Sequence, residues 1–184
     1  MEMTPRRLAA AAPGRILPAM VDPKWRLSHA RGYLGLGMVE EAGAELDQLP
    51  AAAAQETEAL GLRALVLQER EQWPALVEAA RQLVLRQPGE AGWWIAWAYA
   101  TRRSCSLAAA EAILLEAERT HPEEATVQFN LGCYASLRGD LPEARRRVAR
   151  AIALDPTFRA AAATDPDLAP LRGATPPPGA AGGG

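Results

Sequence analysis

The sequence predicts an all-α chain, an α-solenoid of stacked helix–turn–helix hairpins, and three observations carry that prediction. The first is internal repetition: shifted back by 34 residues, Pro156 falls on Pro122, Ala144 on Ala110 and Ala151 on Ala117. A second shift brings Pro122 onto Pro88, Leu114 onto Ala80 and Ala117 onto Leu83. A fixed period in this range marks units that bury their apolar faces only by stacking on neighbours. The second is composition. Hydrophobic residues make up 49% of the 184 positions and aromatics only 5%, so alanine, the strongest helix former, supplies much of the core. The third is that β-branched and aromatic runs of period two, the mark of strands, are missing.

Each element follows in order. Residues 1–22 hold Pro5, Pro13, Gly14 and Pro18 without sustained periodicity and read as a flexible arm. The first repeat, about 23–56, starts at Pro23. Trp25, Leu27, Ala30, Tyr33 and Leu34 have helical spacing, and Gly35 and Gly37 end that helix. Gly37 lies three periods before Gly139, so both mark the same turn between helices. The return helix spans Val39 to Leu49 and stops at Pro50, four residues earlier than the period requires. Ala51 to Gln55 then form a loop or extend the next helix.

The second repeat, 57–90, pairs Glu56–Glu71 with Trp73–Arg86, and Pro74 falls in a first turn where its missing N–H costs little. The third, 91–124, pairs Glu90–Arg103 with Leu107–Thr120, and Ser106 is placed to cap the return helix. The fourth, 125–156, pairs Glu123–Leu137 with Leu141–Leu154 behind a capping-box-like Asp140 and Glu143. The array spans 23–156. A stacked array needs a terminal cap, and residues 157–172 suit one, with a helix from Phe158 to Ala163 and a turn from Asp165 to Leu171. Residues 173–184 end in T-P-P-P-G-A-A-G-G-G and read as a disordered tail.

Several function classes are disfavoured. The formal charge of −2 gives no global pull toward nucleic acid or membrane. Charge is uneven, with six basic against two acidic residues over Met1–Arg31 and ten acidic against four basic over Glu40–Glu90. A basic arm and solvated helix faces account for that. Arg145, Arg146, Arg147 and Arg150 form a cluster on a return helix with no interleaved aromatic. Glu143 stands four residues before Arg147 as a helix pair, so a solvated outer face is expected and nucleic acid is not.

Cys105 and Cys133 are 28 residues apart and only two histidines exist. No zinc set can converge from that inventory, and neither a metal nor a cofactor is expected. His121 reads as a solvated turn residue, His29 as a partly buried structural one, and Cys133 has no histidine in register with it. Phosphate-loop patterns are absent, so an enzyme is not expected. No apolar run reaches ~18 residues, and Pro13, Gly14 and Arg15 break the start too early for a signal peptide. A soluble, cytoplasmic protein is the expectation.

The hairpins place small residues at fixed positions. In the first helices these are Ala30, Ala64, Ala98 and Gly132. Early in the return helices they are Ala42, Leu76, Ala110 and Ala144, and later Leu49, Leu83, Ala117 and Ala151. With the Leu131-Gly132 pair and Trp94, this resembles the tetratricopeptide-repeat family over roughly residues 23 to 156. Leu76 is bulky at a small site, Ala54 replaces a closing proline, and Arg26 stands where a large apolar residue is expected. The resemblance implies a right-handed superhelix with first helices inside and return helices outside.

It also implies a concave groove that takes a peptide or protein segment. The groove positions are Leu27, Arg31, Leu62, Leu65, Ile95, Tyr99, Arg102, Phe129, Asn130 and Cys133. Asn130 could bond an extended backbone, and Tyr99 with Arg102 could stack and supply one charge. The family's two-carboxylate clamp is not reproduced. Leu62, Leu65 and Phe129 could equally be core or lie under the chain's own arm. The expected function is a non-catalytic protein-interaction module. The alternatives are a self-associating structural subunit, that is a homo-oligomer, and a small secretion-type chaperone.

Overall fold

The computed structural model describes residues 22–173. The expectations for the arm, 1–22, and the tail, 173–184, lie outside the described residues except at Asp22, which caps the first helix, and Gly173, which ends the last helix rather than belonging to a disordered tail. Within them the chain forms eleven α-helices and one 3-10 turn, with no strand among the described residues. Four hairpins follow one another: α1 (Pro23–Gly35) with α2 (Val39–Asp47), α4 (Thr57–Glu69) with α5 (Trp73–Arg86), α6 (Ala91–Ser104) with α7 (Leu107–Thr120), and α8 (Ala125–Leu137) with α9 (Leu141–Leu154). A short α3 (Ala51–Ala54) joins the first two hairpins. The chain then turns through α10 (Phe158–Thr164), a 3-10 turn (Pro166–Leu168) and α11 (Ala169–Gly173).

Local chemistry sets the boundaries. Asp22 accepts from the Lys24 backbone N–H at 2.9 Å, Ser106 from Ala109 at 3.1 Å and Asp140 from Glu143 at 3.2 Å. Each satisfies a donor that the first helical turn leaves free. Gly37 and Gly139 take φ of 72° and 82° at the same position of their repeats, a conformation that costs glycine nothing. In the second repeat that position is Glu71, at φ 54°. In the third it is Cys105, at φ −132°, because α6 runs on to Ser104.

The small residues stand where the helices touch. Ala30, Ala64 and Ala98 are fully buried. A Cβ on Gly132 would lie 2.9 Å from Val148 Cγ2 and 3.3 Å from the Val148 backbone nitrogen, so α8 and α9 cross in near-backbone contact. Bulky Leu76 is also fully buried and packs in one cluster with Leu60, Ala64 and Leu83. Clusters straddle the repeat boundaries: Leu62 and Val66 of α4 complete the core of the first hairpin, and Ala100 of α6 completes that of the second. Each large side chain so buried contributes about 1.5–3 kcal/mol, a gain that a lone hairpin could not realise.

Four local expectations are corrected. The first return helix ends at Asp47, not Leu49, and Ala51–Ala54 form a helix of their own because Pro50 separates the two. Arg26 is no defect: its Nη1 donates to Glu45 Oε2 at 2.9 Å and ties α1 to α2. His29 is exposed, tilted against the Trp25 ring. Arg147 does not face solvent. It is buried, donating to Glu143 Oε1 at 2.7 Å, to Gln128 Oε1 at 2.9 Å and to Glu118, and so joins α7, α8 and α9.

Candidate functional site

The inner face is built from α1, α4, α6 and α8, and it is open along only part of its length. Across α1, α4 and α6 runs a trough of three adjoining concavities of about 450, 420 and 320 Å³. Leu65 and Tyr99 stand in it with 42% and 43% of their surface exposed. Ile95 lies half-buried on its floor and Arg31 at its far end, paired with Glu58. Gly61 lets Trp93 lie close over α4: a Cβ there would meet Trp93 Cζ2 at 3.4 Å. Trp73, at the start of α5, reaches the opposite end and meets Tyr99 edge to face, ring centroids 5.4 Å apart. The Arg103 guanidinium sits 5.2 Å from the centre of the Trp73 ring.

Over the fourth repeat the face is closed. Phe129 and Cys133, expected in the groove, are 5% and 3% exposed. Phe158 of α10 lies tilted against Phe129, ring centroids 4.8 Å apart, and Leu168 of the 3-10 turn is buried in the same cluster. Arg102 is spent on the cap as well. Its Nη1 donates to Asp167 Oδ2 at 2.6 Å, and its guanidinium lies 5.4 Å from the Tyr134 ring centre. Asn130 is half-buried on α8 and lines none of the three concavities. Leu27 and Leu62 belong to the first core cluster, although Leu62 reaches the rim of the trough. The structure thus brings Arg31, Leu65, Ile95 and Tyr99 together and takes Leu27, Arg102, Phe129 and Cys133 away.

The cover over α8 comes from residues after the array, and periodicity has no means of placing them. Gln68, on the groove face of α4 by register, lines the trough as expected, but sequence reasoning missed Glu69, Glu71, Trp73, Gln87, Glu90 and Trp93, which line it from turns, helix starts and helix ends. The one available signal was the run Glu69-Arg70-Glu71-Gln72-Trp73, a charged turn beside an aromatic. A further apolar concavity of about 410 Å³ opens on the outer face between α5 and α7, with Trp94 and Trp97 at its base beside Leu85 and Ile113.

Cys133 is chemically quiet. Burial, and then the Asp165 and Asp167 carboxylates, push its thiol up to about 12, so it stays protonated and is a poor nucleophile. Its Sγ and carboxylate oxygens of Asp165 and Asp167 lie within 4.8 Å of one another. Arg102 brings a positive charge onto Asp167, and Asp165 Oδ1 accepts from the Asp167 backbone N–H at 2.8 Å. Charge and hydrogen bonding therefore make this cluster a fastening for the cap. No described helix is long and apolar enough to cross a membrane.

No protein-family model and no curated protein matches the sequence. Solved structures do resemble the fold. MamA (residues 41 to the end) from Desulfovibrio magneticus RS-1 aligns with a TM-score of 0.67 at 18% identity, over 74% of this chain and 77% of that one. TTC0263, a thermophilic TPR protein of Thermus thermophilus, aligns at 0.60 and 23% identity, over 82% and 81%. YrrB, a TPR protein described as having an unusual peptide-binding site, aligns at 0.65 and 15% identity, over 77% and 74%. The 34-residue register, the small residues at the helix crossings and these likenesses agree: the chain has the tetratricopeptide-repeat fold.

Proposed function

We propose that this protein is a non-catalytic protein-interaction module that takes a peptide or protein segment along the open part of its inner face. The observation that carries this reading is the exposure of Leu65 and Tyr99 in one continuous trough, beside the half-buried Trp93 and Ile95. Apolar side chains gathered in a concave surface and rimmed by polar groups are the usual form of a binding site. The description of YrrB as peptide-binding gives a precedent on this fold.

The test is capture of partners from native lysate by the wild-type chain beside Leu65→Glu/Tyr99→Glu, with circular dichroism to show that both are folded. A partner held by wild type and lost by the variant is expected. A partner held equally by both would move the binding surface elsewhere. Self-association is a second reading, favoured by two exposed large apolar side chains of the first repeat, Trp25 of α1 and Leu36 directly after it, 63% and 75% exposed. Mass that rises with concentration and falls in Trp25→Glu/Leu36→Glu would support it.

A further inference from the structure

We infer that the trough recognises a cationic partner: an extended segment that alternates Arg or Lys with apolar side chains. This rests on the inner-face reading above and names its ligand chemistry. Around the trough stand Glu58, Glu69, Glu71 and Glu90, against one guanidinium, that of Arg31. Arg31 and Glu58 satisfy each other. The carboxylates of Glu69, Glu71 and Glu90 have no hydrogen-bond or ion-pair partner among the described residues. The neighbouring cations are already engaged: Arg70 with Glu40 at 2.7 Å, Arg86 with the Gln55 carbonyl at 2.6 Å, Arg102 with Asp167, and Arg103 against Trp73. Three unpaired negative charges therefore border an apolar floor of Leu65, Ile95 and Ala96. That combination favours the approach of positive charge and penalises a carboxylate-bearing partner.

The acidic end adjoins the aromatic part of the trough. Glu71 keeps a left-handed backbone, φ 54°, where the first and fourth repeats use glycine. That conformation is unfavourable for a residue with a side chain, and here the turn between the two helices imposes it, as it does at Gly37 and Gly139. The carboxylate it presents lines the same concavity as Trp73 and Tyr99. The Trp73 ring already carries the Arg103 guanidinium, so the exposed Tyr99 ring, in the same concavity as the Glu71 carboxylate, is the one that suits a ligand guanidinium or ammonium. A peptide backbone passing this point would find the Gln68 carboxamide as donor and acceptor, while Gln87 Oε1 further along already accepts from Trp93 Nε1 at 3.2 Å and leaves its NH2 to donate.

The test is selection of a phage-displayed random dodecapeptide library against the full chain, in parallel with Glu69→Gln/Glu71→Gln/Glu90→Gln and with Leu65→Glu/Tyr99→Glu. The expected result is enrichment of peptides rich in Arg or Lys and apolar residues. Their dissociation constants should rise about tenfold in the triple Gln variant, as three exposed charge pairs are lost, and should weaken with added salt. Enriched neutral or acidic peptides that are lost only in the Leu65→Glu/Tyr99→Glu variant would overturn the cationic ligand and leave the groove intact. Enrichment indifferent to both variants would overturn the groove as well. Basic peptides selected only after Arg6, Arg7 and Arg15 are changed to Glu would overturn a foreign partner in favour of the chain's own first residues.

Discussion

The two halves of the inner face follow the same 34-residue register and end as opposite surfaces. Over α4 and α6, Leu65 and Tyr99 stand exposed above a trough bordered by carboxylates with no partner among the described residues. Over α8, Phe129 and Cys133 lie beneath α10 and the 3-10 turn. Repeat position predicts the backbone equally well in both halves but not what a side chain meets. That depends on what comes next: another hairpin leaves the inner face of its neighbour open, whereas the terminal segment folds back across it.

The halves also differ in how tightly their helices cross, and Gly132→Leu should expose that difference most strongly. The added side chain meets Val148 and the backbone of α9, and a melt should show a loss of about 3 kcal/mol, the upper end of the cost of overpacking. An unchanged melting midpoint would refute the crossing. Next comes Leu168→Ala, which removes the buried anchor of the cap and should cost about 2 kcal/mol. It should also raise the rate at which a thiol reagent labels Cys133, while exposed Cys105 reacts at once in both proteins. Protection that survives the substitution would mean that the cap is not the cover.

On the open side the effects are smaller. Glu71→Gly relieves a left-handed backbone and should raise stability by about 0.5 kcal/mol, the relief being partly offset by the freer unfolded chain. In the same variant, selected basic peptides should bind less tightly. A loss of stability there would show that Glu71 makes a contact the fold depends on. Smallest is Gly61→Ala. Its Cβ meets Trp93 only at ordinary contact distance, so helix propensity should win by up to about 0.5 kcal/mol. A cost comparable to that at Gly132 would mean that Trp93 cannot give way and that the trough floor is packed as tightly as the crossing of α8 and α9.

Much of this was legible before any coordinates. Ala30, Ala64, Ala98 and Gly132 repeat at one spacing because every hairpin must bring two helices together at that point, and all four are buried. Ser106 and Asp140 announced their caps because a short side-chain oxygen before a helix has a specific donor to satisfy. The candidate site was read less well. Leu65, Ile95 and Tyr99 were placed in the trough, but Phe129 and Cys133 were given to an open face that the cap covers. Glu69, Glu71, Glu90 and Trp73 went unnoticed, since turns and helix starts carry no periodic signal.

The amino-acid sequence by itself determined the helical hairpins, their register and the residues at which they cross. Those follow from local propensity, capping and a repeated steric need that recurs with every unit. Only the tertiary structure decided which part of the inner face stays open. Arg102 with Asp167 and Phe129 with Phe158 join residues 65 and 29 positions apart, and no repeating pattern encodes contacts made once, between the array and the segment that ends it.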